Sequence, residues 1–95
     1  MTGQRVTTTP DEIPIEIVKR MKPGDYAWCE IMKAWLCITP NGIHGNLRLH
    51  AITENPDGTI TVSPSILCKG HDGKIGPGLN VEYHGYLRAG VWSEC

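Results

Sequence analysis

The chain has no apolar run approaching the roughly 20 residues that a membrane-spanning helix needs, so none is expected. It also lacks an excess of either charge, with nine Lys and Arg against ten Asp and Glu and a formal net charge of −1. Steering toward nucleic acid or an anionic membrane has little to act through at that balance, and neither is expected as a partner. No internal repeat stands out, and no amphipathic helical pattern runs longer than about ten residues, which argues against bundles and helical solenoids. At 95 residues there is room for one domain with a modest core. The opening stretch, MTGQRVTTTPDE, has no hydrophobic segment of the kind an export signal requires, and a cytoplasmic protein is the expectation.

Four cysteines are present, Cys29, Cys37, Cys68 and Cys95. Without an export signal they are expected as free thiols rather than disulfides. Cys68 and His71 stand close enough to form half of a zinc site, with Cys37 and His44 as the other half, but the latter spacing matches no compact knuckle. The primary expectation is therefore no metal and no cofactor.

Along the chain, residues 1–12 are polar, threonine-rich and read as a loose arm, with a single β-rich domain over residues 13–95. IPIEIVKRM fits a short helix through Ile13, Ile17 and Met21, or a strand through Ile13, Ile15 and Ile17; its β-branched residues and internal proline favour an edge strand. DYAWCEIMKAWLCI reads as one or two strands meeting near Met32 to Ala34, and PNGIHG as a sharp break. NLRLHAI alternates as a strand with one wet face, NPDG is a hairpin turn, and TITVS is its returning strand. CKGHDGKIGPG, with four glycines in eleven residues, reads as a surface loop. LNVEYHGYLRAGVW is a last strand kinked or turned at Gly85 and Gly90. The sum is an all-β fold with at most one short helix, a small barrel or sandwich of five to seven strands. Trp28, Trp35, Ile60, Val62, Ile66 and Leu67 are expected in one contiguous core.

The segment DGTITVSPSILC raises the question of chemistry. Ile60 and Val62 share one face and Thr59, Thr61 and Ser63 the other, while Pro64 ends regular pairing. Ser65 follows that break directly and precedes the apolar anchors Ile66 and Leu67, the support that a nucleophile needs; an ordinary turn serine is the simpler alternative. Serine also requires a base. His84, between two tyrosines in EYHGYL, and His50 are both candidates on residue type and setting.

The order of motifs PGDYAW, WLCITPNGIHGNLRL, HAITENPDGTITVSPSIL and EYHGYLRAGVW resembles the small BubE-like family of bacteria and phages, over about Ile15 to Trp92. The family is associated with serine peptidase activity, and some members lie beside bacterial ubiquitin-like conjugation genes. The resemblance places the family's motif serine on Ser65, in Pro64-Ser65-Ile66, and its motif histidine on His84, with Gly85 intervening before Tyr86. A glycine-rich cysteine motif of many relatives falls on Thr39 to Gly45, where this chain has no cysteine, so no thiol or metal role carries over.

The resemblance implies a hydrolase in which His84 takes the proton of Ser65 during attack on a peptide, isopeptide or ester carbonyl of a protein tail, a ubiquitin-like protein among the candidate partners. Backbone amides of Gly42 and Gly45 in the glycine turn, or those around Ser65 and Ile66, are candidate oxyanion donors. Glu82 and Asp57 are candidates to orient the imidazole. Two other readings compete: a non-enzymatic β-module of a phage or bacterium presenting Tyr83, Tyr86, Trp92 and the glycine loops to a protein partner, and a small zinc-stabilised module.

Overall fold

A computed structural model describes residues 1–70 and 81–95. Among these residues one helix, α1 (Pro14–Val18), is followed by β1 (Tyr26–Cys29), β2 (Ala34–Ile38), β3 (His44–Asn46), β4 (Ala51–Glu54), β5 (Ile60–Ser63), β6 (Ile66–Gly70), β7 (Val81–Arg88) and β8 (Val91–Glu94). The fold is all-β with one short helix, as expected. Among the described residues, eight strands lie in three small antiparallel sheets, β1-β2-β3, β4-β5 and β6-β7-β8, and no sheet closes into a barrel.

The expected edge strand at IPIEIVKRM is instead α1. Pro14 sits at the start of the helix, where its missing N–H costs nothing, and the Glu16 carboxylate turns back to accept from the Ile13 N–H at 3.3 Å. The period that decides is four: Ile17 and Met21 are buried while Ile13 and Ile15 are exposed. Ile17 and Met21 join Ala27, Cys29, Leu36 and Ile38 in one apolar cluster. The Arg20 guanidinium closes the helix onto Glu12, an exposed pair that contributes little by itself.

Residues 1–12 also differ from the expected loose arm. Gly3 N–H donates to Gly90 O at 2.8 Å, Val6 N–H to Tyr26 O at 2.9 Å, and the Thr8 hydroxyl to Trp28 O at 2.6 Å. Arg5 lies 4.8 Å from the centre of the Trp35 ring, and Val6 packs against the helix-side cluster. This segment is thus a strap joining β1 to β8. Its polar composition hid that role because much of its hold is through backbone groups, which any side chain leaves available.

The tryptophan-rich stretch forms the expected hairpin, with Trp28 opposite Trp35 and a turn over residues 30–33. NPDG likewise turns β4 into β5: Gly58 takes φ +87°, and the Asp57 carboxylate accepts from both the amide and the hydroxyl of Thr59. NLRLHAI is not one strand. Leu47 donates its N–H to Trp35 O, the chain turns over residues 48–50, and β4 begins at Ala51. The predicted surface loop is partly strand, since Cys68 to Gly70 pair with Tyr83 to Val81; residues 71–80 lie outside the described residues.

The main core gathers Tyr26, Trp35, Cys37, Ile43, Leu47, Ile60, Val62, Ile66, Tyr83, Leu87 and Trp92. Trp28 packs against it from a half-buried position. Leu67 is the exception among the expected core residues. It is 51% exposed, because strand alternation that buries Ile66 must turn its neighbours outward. That same alternation sends Ser65 to the outer face.

Candidate active site

β7 is the central strand of its sheet, with β6 on one side and β8 on the other. Tyr83 and Leu87 point inward; Glu82, His84 and Arg88 are exposed on the other face. Tyr83 meets Trp92 edge to face at 5.5 Å, and the Trp92 indole N–H donates to Gly24 O at 2.8 Å, so the floor beneath His84 is held by packing and a buried hydrogen bond. His84 is paired in register with Leu67. Ser65, two residues before Leu67, is therefore its diagonal neighbour on the same face.

The structure brings the two residues together: Ser65 Oγ stands 3.2 Å from His84 Nε2. Pro64 separates β5 from β6 there, with a cis Ser63–Pro64 peptide, and Ile66, 1% exposed, anchors the chain immediately after the serine. The geometry suits a hydroxyl that donates to Nε2 of a neutral imidazole carrying its proton on Nδ1.

His50 has a different place. Its Nε2 lies 3.2 Å from the Ser65 carbonyl oxygen, which makes Nε2–H the donor. Its Nδ1 is buried with no partner among the described residues. The turn before β4 thus carries a histidine that grips the backbone of Ser65 and leaves the hydroxyl to His84. Sequence alternation had placed His50 in mid-strand, and nothing in its neighbours signalled a contact with a residue fifteen positions later.

Neither candidate for orienting the imidazole does so here. Glu82 shares the outer face with His84 but faces Lys69 across the strands, at 3.8 Å. Asp57 is committed to its turn, where the Thr59 hydroxyl and amide hold its carboxyl below the usual range. Among the described residues, the hydrogen bonds of the site form a Ser-His pair without a carboxylate.

Three of the expected oxyanion donors, the amides of Gly42, Gly45 and Ile66, are also committed. Gly42 N–H donates to Thr39 O at 2.8 Å inside the glycine turn. In β2-β3, bonds from Leu47 to Trp35 and from Thr39 to Ile43 fix the alternation, which assigns the Gly45 N–H to Cys37 opposite it. In β7, the bond from Cys95 N–H to His84 O turns the backbone of His84 toward β8 and that of Gly85 toward β6, which assigns the Ile66 N–H to Gly85. The Ser65 N–H, by contrast, donates to no backbone carbonyl among the described residues.

Beside the serine lies an open cleft of about 320 Å³ lined by Thr61, Val62, Ser63, Pro64, Ser65, Tyr86 and Arg88. The Arg88 guanidinium rests on the Tyr86 ring, 4.2 Å from its centre, so an immobilised cation stands at the edge of the cleft. The surface imagined for a purely binding module is reduced, since Tyr83 and Trp92 are both 3% exposed and only Tyr86 is partly accessible. Of the residues considered for zinc, His71 lies outside the described residues, and no group of three or more candidate metal ligands occurs within them. No helix of the described residues is long and apolar enough to cross a membrane.

Compared with protein-family models, curated proteins and solved structures, the chain gives no match.

Proposed function

We propose that this chain is a serine hydrolase of the BubE-like type, acting on a peptide, isopeptide or ester bond in an exposed protein tail. The observation that carries this reading is the 3.2 Å contact between Ser65 Oγ and His84 Nε2 at the edge of an open cleft. A ubiquitin-like conjugate or precursor is the substrate class that the family resemblance implies. In the proposed reaction Ser65 Oγ attacks the carbonyl carbon as His84 takes its proton; the imidazolium then protonates the leaving group, and water repeats the sequence on the acyl-enzyme. The Ser65 N–H is the available backbone donor for the oxyanion, with the Ser65 carbonyl on its other side held by His50.

A fluorophosphonate probe with intact-mass detection tests the reading. One adduct per chain is expected, mapped to Ser65 and absent in Ser65→Ala. The labelling rate should fall on the acid side, because a protonated His84 cannot accept the serine proton. Absence of labelling in folded protein across that range would return Ser65 to the role of a turn residue and favour a binding module.

The cleft adds a preference. Arg88, with its charge held against Tyr86, favours a substrate segment carrying a carboxylate near the scissile bond. Arg88→Ala is expected to raise KM about tenfold for such a peptide, with a much smaller change for a neutral one, and peptide pairs differing in that single charge measure it.

A further inference from the structure

Cys37 and Cys68 are 31 positions apart in the sequence, yet they meet inside the fold. Cys37 lies on β2 opposite Gly45 of β3, and Cys68 on β6 packs against the main core of which Cys37 is part. Gly45 is the reason both sulfurs fit. A methyl group on its Cα would stand 2.9 Å from Cys68 Sγ and 3.6 Å from Cys37 Sγ, so the missing side chain leaves the space beside which both sulfurs lie. Their accessibility differs: Cys37 is 2% exposed, while Cys68 is half-buried. All four cysteines are free thiols, and Cys29 and Cys95 belong to other regions.

We infer that Cys37 and Cys68 form an oxidative modification site, in which Cys68 reacts with a hydroperoxide and Cys37 resolves the product into a disulfide between β2 and β6. The electrostatics agree with this division of labour. Hydrogen bonding from the Cys37 thiol brings Cys68 down to about 7, and the same interaction, with burial, pushes Cys37 well up. Cys68 is thus the more readily ionised thiol and Cys37 the proton-bearing partner.

In the first step the Cys68 thiolate attacks one oxygen of hydrogen peroxide; the O–O bond breaks, a sulfenic acid forms, and hydroxide leaves to become water. In the second, Cys37 sulfur attacks Cys68 sulfur, the S–O bond breaks, and the Cys37 proton departs with the hydroxyl as a second water. Two thiols are oxidised to one disulfide while one peroxide is reduced to two waters. The site does not depend on the Ser-His reading, although Cys68 lies on β6 three residues after Ser65, which immediately precedes that strand, and a crosslink there would fix β6 to β2.

The experiment uses the full chain with Cys95→Ser, which removes the exposed thiol that would otherwise couple two chains. Exposure to stoichiometric hydrogen peroxide is expected to lower the intact mass by about 2 Da. Non-reducing peptide mapping should join the Cys37 and Cys68 peptides. Adding Cys37→Ala should arrest the reaction at a sulfenic acid on Cys68 that dimedone traps, and adding Cys68→Ser should leave Cys37 unmodified. Gly45→Ala keeps both thiols but fills the space between them, and should slow disulfide formation at least tenfold; circular dichroism checks that it and the other variants remain folded. If folded Cys95→Ser protein instead gains oxygen at Cys68 without the crosslink, or oxidises Cys29 as readily as Cys68, the inference fails. Should Cys37→Ala not fold, the mapping of the parent and the Gly45→Ala rate still decide it.

Discussion

His84→Gln is expected to slow phosphonylation of Ser65 by about a thousandfold, within the range a positioned general base supplies, while the melting temperature stays within a few degrees of the parent. The side chain is exposed on the outer face of β7, so its replacement removes a proton acceptor and almost no packing. Glutamine retains a polar group that can hydrogen-bond the Ser65 hydroxyl but cannot take its proton at neutral pH. The acid-side fall in labelling rate should disappear with it, since the group responsible for that fall is gone. Labelling as fast as in the parent would mean that the 3.2 Å contact is structural and that Ser65, if reactive, uses another base. Active-site titration beside a thermal melt separates these outcomes.

Gly85→Val is expected to destabilise the chain by about 3 kcal/mol, a large share of what a domain of this size has to lose. Gly85 lies in the middle of β7, paired with Ile66 on one side and Glu94 on the other. A Cβ at this position would stand 2.4 Å from Ser93 O and 2.7 Å from the Tyr83 hydroxyl. The first obstacle is backbone of the adjoining strand, so relief requires β8 to move away from β7. Because Ile66 is the residue paired with Gly85, the displacement also reaches the strand that holds Ser65. Urea unfolding should show the lowered midpoint, and the fraction that remains folded should label slowly; a variant as stable as the parent would contradict the packing of β7 against β8.

The setting of Ser65 was legible because strand periodicity and punctuation act locally; its base was left open between His84 and His50, and it was the family resemblance that pointed to His84. Pro64 marks the end of β5, Ile66 and Leu67 mark the start of β6, and the alternation that buries Ile66 fixes which way Ser65 points. The same rule, applied too generously, put Leu67 in the core. The helix at Pro14–Val18 was missed because Ile13, Ile15 and Ile17 satisfy both periods, and the choice was made by Ile17 and Met21 finding an apolar cluster supplied by β1 and β2. The kink or turn expected at Gly85 and Gly90 falls at Gly90 alone: β7 runs unbroken through Gly85, where the missing side chain lets β8 come close. The committed amides of Gly42, Gly45 and Ile66 could not have been anticipated, since each depends on which neighbour the strand acquires. His50 on the Ser65 carbonyl, and Cys37 facing Cys68, are contacts between side chains distant in sequence for which no spacing rule exists.

Every strand pairing in the three sheets joins consecutive strands: β1 with β2, β2 with β3, β4 with β5, β6 with β7, and β7 with β8. Closing such neighbours loses little chain entropy, so each sheet can gather as a local unit on a short timescale. The contacts of the strap are of another kind. Thr2 bridges to Val91, Arg5 to Tyr26, and the terminal ammonium donates to Trp92 O, spanning almost the whole length of the chain. The strap is therefore expected to dock after the sheets have formed, and amide hydrogen exchange at Gly3 and Val6 should run ahead of exchange in β2 and β7. In folding terms, the residues whose composition most resembles a disordered tail are the last clasp of the domain, and early protection of their amides would reverse that order.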